Sequence, residues 1–296
     1  MDSTLFRKYV KNVEKRIEHK KVSMAYQGAE FLKKLPLFIQ KKIIGSGTQK
    51  DPYMGFVVEP WSLFLSYEIT QKDVAHFLPA NYELLPVSIF KGSPKNTCAI
   101  LGLFNIHTDV FWGSRFEIYV IARNKDTNLA SWIIYDYESN TINYDPGKGF
   151  LSPTLQSCVF TTTHKGEIIT DIKSLKSNNS IRLTADITKA KTKALDKQLW
   201  IEGNLSIDYS GEMGDKASDP FGLIFDPEEM KEALFIESIK IEIEDMNFGF
   251  IKNKNTLLEA CVFPYAQHFI TTTIPKGHEM KNESDLENKI IEIAGE

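Results

Sequence analysis

This 296-residue chain lacks most of the features that would name a function outright. Cysteine is scarce: Cys98, Cys158 and Cys261 stand far apart and form no CxxC pair. An odd, dispersed set argues against a disulfide framework and suits a reducing compartment. No run of 18 uninterrupted apolar residues occurs, so no membrane-spanning helix is expected. The opening residues MDSTLFRKYV carry charges where a signal peptide needs an apolar run. A cytoplasmic protein is therefore expected.

Large charge of one sign is also missing. A net charge of -4 gives no reason to expect nucleic acid or an acidic membrane as a general partner. No GxGxxG, GxxxxGK[ST], GxSxG or HExxH occurs, which removes the dinucleotide, P-loop, α/β-hydrolase and zincin signatures. The histidines never fall four residues apart. His107 and Asp109 could share an ion on a bent strand end, but two residues make no site. No metal and no cofactor are expected.

What the chain does have is an ordinary core composition, 42% hydrophobic and 25% charged. Residues 4–44 carry a helical pattern, with Leu5, Tyr9, Val10, Val13 and Ile17 at three- and four-residue steps. Pro36 should kink or split the second half of it. Residues 1–50 thus form an N-terminal helical extension, packed on the body or serving as a dimer arm or a lid. Residues 51–296 form the body.

Within the body, short segments rich in β-branched and aromatic residues follow one another: 63–69, 99–106, 116–122, 131–137, 158–163, 167–172, 181–188, 199–208, 235–244 and 267–273. Several alternate polar and apolar residues, as when one face of a sheet meets water. Ten or so strands joined by short turns predict a mainly β (α+β) fold, a large antiparallel barrel or sandwich. Short helices are expected at 70–79, capped by Thr70, and at 226–234, capped by Asp226 with Pro227 in the first turn. Residues 210–222 read as a loop, and the tail from Asn282 as a short amphipathic helix or a disordered end.

The order of pieces resembles the acetoacetate decarboxylase family, whose fold is a large antiparallel β-barrel around a buried, partly apolar cavity. The stretch LSYEITQKDVAHFLPANYELLPVSIF (65–90) has the family's strand, short helix, proline and "LEL-P-V"-like segment. GSRFEIYVIAR resembles the following aromatic-x-Glu strand and places Glu117 where the family has its cavity-facing acid. ACVFPYAQHFITTTIP is similar to the closing strand. The resemblance spans roughly residues 55–275 and rests on order and texture.

The family's catalytic segment reads Gly-Arg-Glu, a spacer, then aromatic-Pro-Lys, its lysine forming a Schiff base with a β-keto acid. PGKGFLSPT fits with a one-residue gap: Gly147-Lys148 stand for Gly-Arg, Pro153 for the proline, and Thr154 falls where the lysine belongs. An arginine expected near the first barrel strand is also missing, since Pro60 and Trp61 occupy that region. A threonine hydroxyl cannot form an imine, so ordinary acetoacetate decarboxylation is not expected. Lys148, between glycines, reads as an exposed turn lysine, with a relocated catalytic amine as the alternative.

Strand alternation puts Arg115, Glu117 and Tyr119 on one face. An inward Glu117 is a cavity acid/base or ligand anchor, with Arg115 beside it as the partner a buried carboxylate needs. The plain alternative is a structural ion pair or an outward-facing bridge. The resemblance thus implies a barrel that takes a small organic acid or ketone, with Glu117 and Lys148 as candidate catalytic groups and Arg115, Tyr119 and Thr154 as candidate binding groups. Any chemistry would be of lyase type, run by acid/base steps without a Schiff base. Three alternatives stand beside it: a non-catalytic carrier, a sensor, and a decarboxylase using Lys148. The family's habit of assembling makes a homo-oligomer an expectation.

Overall fold

The computed structural model describes residues 18–48, 53–108, 112–145, 148–208, 220–272 and 280–295. The apolar steps from Leu5 to Ile17, Asp109, and most of the 210–222 loop lie outside the described residues. Two helices come first, α1 (His19–Leu32) and α2 (Leu37–Thr48). They break at Pro36, as its position predicts, because the residue before a proline is driven out of the helical region. The carbonyl of Pro36 then accepts from the Ile39 amide at 2.9 Å and opens α2.

The strands follow in chain order. The first six are β1 (Tyr53–Val58), β2 (Ser62–Glu68), β3 (Tyr82–Leu84), β4 (Cys98–His107), β5 (Trp112–Asn124) and β6 (Ala130–Ser139). A hairpin, β7 (Asn143–Asp145) and β8 (Gly149–Leu151), precedes β9 (Leu155–Thr162), β10 (Glu167–Ser174), β11 (Ser180–Asp186) and β12 (Lys191–Ala194). The last seven are β13 (Ile207–Asp208), β14 (Ile224–Phe225), β15 (Glu232–Ile236), β16 (Ile241–Phe248), β17 (Ile251–Lys252), β18 (Leu257–Phe263) and β19 (Gln267–Thr272). Helix α3 (Gln71–Val74) lies between β2 and β3, and at its start the Asp73 carboxylate accepts from both the amide and the hydroxyl of Thr70 at 2.7 Å. Helix α4 (Glu283–Gly295) closes the chain.

Twelve strands form one large sheet along the path β12-β15-β18-β2-β4-β1-β19-β14. On the other edge of β4 lie β5 and then β6, with β3 and β13 paired to them. β4 is long enough that its first edge serves both β2, along residues 98–103, and β1, at Ile106 and His107. The pairing gives the mainly β fold, but the expected single closed barrel does not appear in it: among the described residues no sheet closes on itself. An isolated bridge from Ile207 to Phe221 spans the space between β13 and the segment leading to β14. Five further strands, β17-β16-β11-β10-β9, make a separate sheet.

That second sheet explains why the central segments read as nearly unbroken apolar runs. One cluster, with Phe64, Phe104, Tyr119, Trp132 and Trp200, fills the inner face of the large sheet. A second, with Leu101, Phe116, Ile118 and Val120 packed among Ile168, Ile181 and Phe248, joins its outer face to the five-stranded sheet. β4, β5 and β6 are therefore buried on both faces, and the wet-face alternation expected for the body belongs to β10 and β11.

Three local readings need correction. Residues 199–208, expected as a strand, form one π turn (Gln198–Glu202) and one 3-10 turn (Gly203–Leu205) before the two residues of β13. Gly203-Asn204 inside that stretch is turn chemistry that outweighs the β-branched texture around it. The helix expected at 226–234 lasts a single 3-10 turn, Pro227–Met230, with Asp226 capping it, before β15 begins. Similarly, 235–244 is two strands broken by a turn at Ser238–Lys240.

The hairpin β7–β8 is the seat of the N-terminal helices. Gln40 on α2 is buried, and its Oε1 accepts from the Phe150 amide at 2.9 Å. Gly149 has φ +84°, and a Cβ there would collide with the Gln40 side chain, so the position requires glycine twice over. From α1, Glu30 and Lys33 both reach the Ser152 hydroxyl. No described helix is long and apolar enough to cross a membrane.

The cysteines give a chemical check of this packing. Cys98 and Cys261 are buried, which pushes the Cys98 thiol to about 11 and that of Cys261 well above its usual range; Cys158 is half-buried. At neutral pH the native protein should react with a disulfide reagent slowly and at Cys158, the other two thiols appearing only on unfolding. Labelling of Cys98 or Cys261 at the Cys158 rate would contradict the packing of β4 and β18.

Candidate functional site

The cavity begins on β5. Its alternation sends Phe116, Ile118 and Val120 to the outer cluster and Arg115, Glu117 and Tyr119 inward. On β4 the residues opposite these three are Phe104, Gly102 and Ile100. Gly102 therefore faces Glu117, and a Cβ on it would stand 2.9 Å from the Phe64 ring. The missing side chain lets Phe64 lie across the strand as one wall. Phe64 meets Trp200 edge-on with centroids 5.2 Å apart, and Trp132 lies 5.4 Å from Trp200 and 4.8 Å from Tyr119.

Both indoles spend their N–H groups elsewhere. Trp132 donates to the Leu199 carbonyl at 2.9 Å and Trp200 to that of Ile89 at 3.0 Å. What they offer the interior is ring surface. Together with Phe56 and Phe269, stacked at 5.2 Å, they line a cavity of about 200 Å³.

Few polar groups enter this aromatic space. Glu117 is 4% exposed; Arg115 donates to its Oε1 from Nε and Nη2, both at 2.6 Å, and the Tyr119 hydroxyl donates to Oε2. Arg115 Nη1 donates in turn to Asn143 Oδ1 on β7 at 2.5 Å, and the guanidinium lies 5.0 Å from the Tyr137 ring centroid. An ion pair this deep is held because its hydrogen-bonding capacity is spent on partners. Gln267 is engaged by Met230 Sδ at 3.1 Å, and Asn204 by the Trp200 carbonyl at 2.7 Å. Thr271, also lining the cavity and 7% exposed, has a hydroxyl with no hydrogen-bond partner among the described residues.

Of the residues singled out from the sequence, Arg115, Glu117 and Tyr119 meet at this cavity, and Lys148 and Thr154 do not line it. Lys148 is exposed on the β7–β8 turn. Thr154 is half-buried, its hydroxyl accepting from the Ser139 amide at 2.9 Å, so it ties the start of β9 to β6. Among the described residues no lysine lines the cavity. His107 is paired with Glu59 at 3.1 Å. Trp200, Asn204, Gln267 and Thr271 were not singled out: two lie in the stretch read as a strand, and the other two are brought in by β19 from the far end of the chain.

No family model and no curated protein matches this chain. Several solved structures are similar to it. An acetoacetate decarboxylase from Legionella pneumophila is 11% identical, with a TM-score of 0.42, covering 76% of this chain and 88% of its own. An acetoacetate decarboxylase-like enzyme from Sphingomonas wittichii RW1 is 9% identical, TM-score 0.42, covering 76% and 92%. The enduracididine biosynthesis enzyme MppR, complexed with the condensation product of pyruvate and imidazole 4-carboxaldehyde, is 7% identical, TM-score 0.46, covering 76% and 91%. At such identities and TM-scores the likeness says nothing of which residues do what.

Proposed function

We propose that this protein binds a small carbonyl compound or organic acid in the cavity beside Glu117 and moves a proton on it without forming an imine. The observation that carries this reading is the buried Glu117 carboxyl, held between Arg115 and Tyr119 at the wall of an aromatic cavity. Size narrows the ligand. An apolar cavity of roughly 150 Å³ takes up benzene, so about 200 Å³ suits a molecule only slightly larger, and not a fatty acid.

Charge narrows it further. Arg115 and Glu117 compensate each other, so an entering carboxylate would have to draw Arg115 away from Glu117. An uncharged ketone or aldehyde avoids that cost, and the Thr271 hydroxyl is placed to donate to a carbonyl oxygen. Glu117 would then accept a proton from the carbon beside the carbonyl, leaving an enolate whose charge rests on the oxygen that the Thr271 hydroxyl faces, and would return a proton to the oxygen, giving the enol, or to the carbon, giving exchange. Such a role asks for a positioned acid/base group and for no amine.

Exchange spectroscopy tests this. With ketones and aldehydes of benzene-like size in heavy water, the protein should speed loss of the α-proton signal. Glu117→Gln should cut that rate by roughly 10²–10⁴-fold while ligand binding stays within a few-fold. Binding without exchange would favour the carrier reading. A borohydride-trapped adduct on any lysine would replace this mechanism with an imine one.

A further inference from the structure

The modest net charge conceals a strong asymmetry. Residues 1–50 carry twelve Lys and Arg against four Asp and Glu, a net of +8, which leaves -12 on the other 246 residues. The described part of that segment, α1 and α2, also holds half of the large apolar side chains that stand exposed among the described residues. Met24 and Phe31 are 63% exposed and Phe38 is 72% exposed, with Tyr26 and Ile43 beside them.

Cations and apolar groups share the same outward stripes. On α1, Lys20, Met24, Gln27 and Phe31 recur at three- and four-residue steps and are all exposed, while Ala29 on another side is buried. On α2, exposed Phe38 and Lys42 are one turn apart, opposite the buried Gln40. The contacts of Gln40 with Phe150, and of Glu30 and Lys33 with Ser152, hold both helices on the β7–β8 side. These stripes are left pointing away from it.

We propose that α1 and α2 lie on the surface of an anionic lipid bilayer, Met24, Phe31 and Phe38 entering the headgroup layer and Lys20, Lys34, Lys41 and Lys42 meeting its phosphates. An anionic interface takes both kinds of group at once. Nucleic acid would answer the lysines and leave Phe31 and Phe38 in water. Pairing of residues 1–50 with those of a second copy would set +8 against +8. The acidic body, carrying -12, is held off an anionic surface, which orients the protein with the helices down.

Sedimentation of the full chain with vesicles decides the matter. It should pellet with phosphatidylcholine vesicles containing phosphatidylserine, not with phosphatidylcholine alone, and salt should release it. Phe31→Ser with Phe38→Ser, and separately Lys41→Glu with Lys42→Glu, should each weaken binding by roughly tenfold or more, with unchanged melting temperatures as the control. Equal pelleting with both vesicle types would overturn the proposal, as would binding indifferent to the phenylalanine pair. So would a concentration-dependent dimer that the same pair abolishes while the vesicles stay unbound.

Discussion

Replacing Arg115 by methionine should cost about 3–5 kcal/mol of folding stability, because it leaves the Glu117 carboxyl buried without its cation. The side chains of Arg115 and Glu117 are 13% and 6% exposed, so water cannot make up the loss. Tyr119 would remain as the carboxyl's named partner, and Asn143 would lose its guanidinium donor. In a urea titration the midpoint should fall sharply. Adding Glu117→Gln to the same chain should return most of the loss, since a neutral amide needs no counter-charge. An Arg115→Met protein as stable as the parent would show that the pair does not hold this wall together.

Trp200→Ala is the second large effect, at about 3–5 kcal/mol for a buried tryptophan. Trp200 is 2% exposed and touches Phe64, Trp132 and Phe263 edge-on or tilted, and its N–H closes on the Ile89 carbonyl. Truncation both enlarges the cavity and leaves that carbonyl without its donor. Thermal melts with and without added indole separate the two parts. Indole should raise the melting point of the variant, by filling the hole, more than it raises that of the parent. A variant that melts with the parent would mean the wall of the cavity is not packed as described.

How much of this was legible beforehand varies with how local the cause is. Arg115, Glu117 and Tyr119 are readable because the two-residue period of a strand needs no knowledge of the rest of the fold. The break at Pro36 and the helix start at Thr70 are readable for the same reason. The two-sided burial of β4, β5 and β6 is not, since it depends on a separate sheet formed by strands within residues 155–186 and 241–252. Nor are Gln267 and Thr271, which reach the cavity because β19 pairs with β1 across more than 200 residues. The Lys148 turn misleads in an instructive way. Its glycines resemble a catalytic loop, while Gly149 is there because the Gln40 side chain needs the space.

One short strand, β7, joins the cavity to the hairpin that seats the N-terminal helices. Asn143 opens β7 and holds the Arg115 guanidinium, and Tyr144 pairs with Phe150, whose amide grips Gln40. An occupant that displaces Arg115 therefore pulls on the strand carrying the N-terminal helices, two steps away. Thermodynamic linkage makes any such communication mutual. Such an occupant would alter how firmly the helices hold an outside surface, by the same factor that attachment alters its affinity inside.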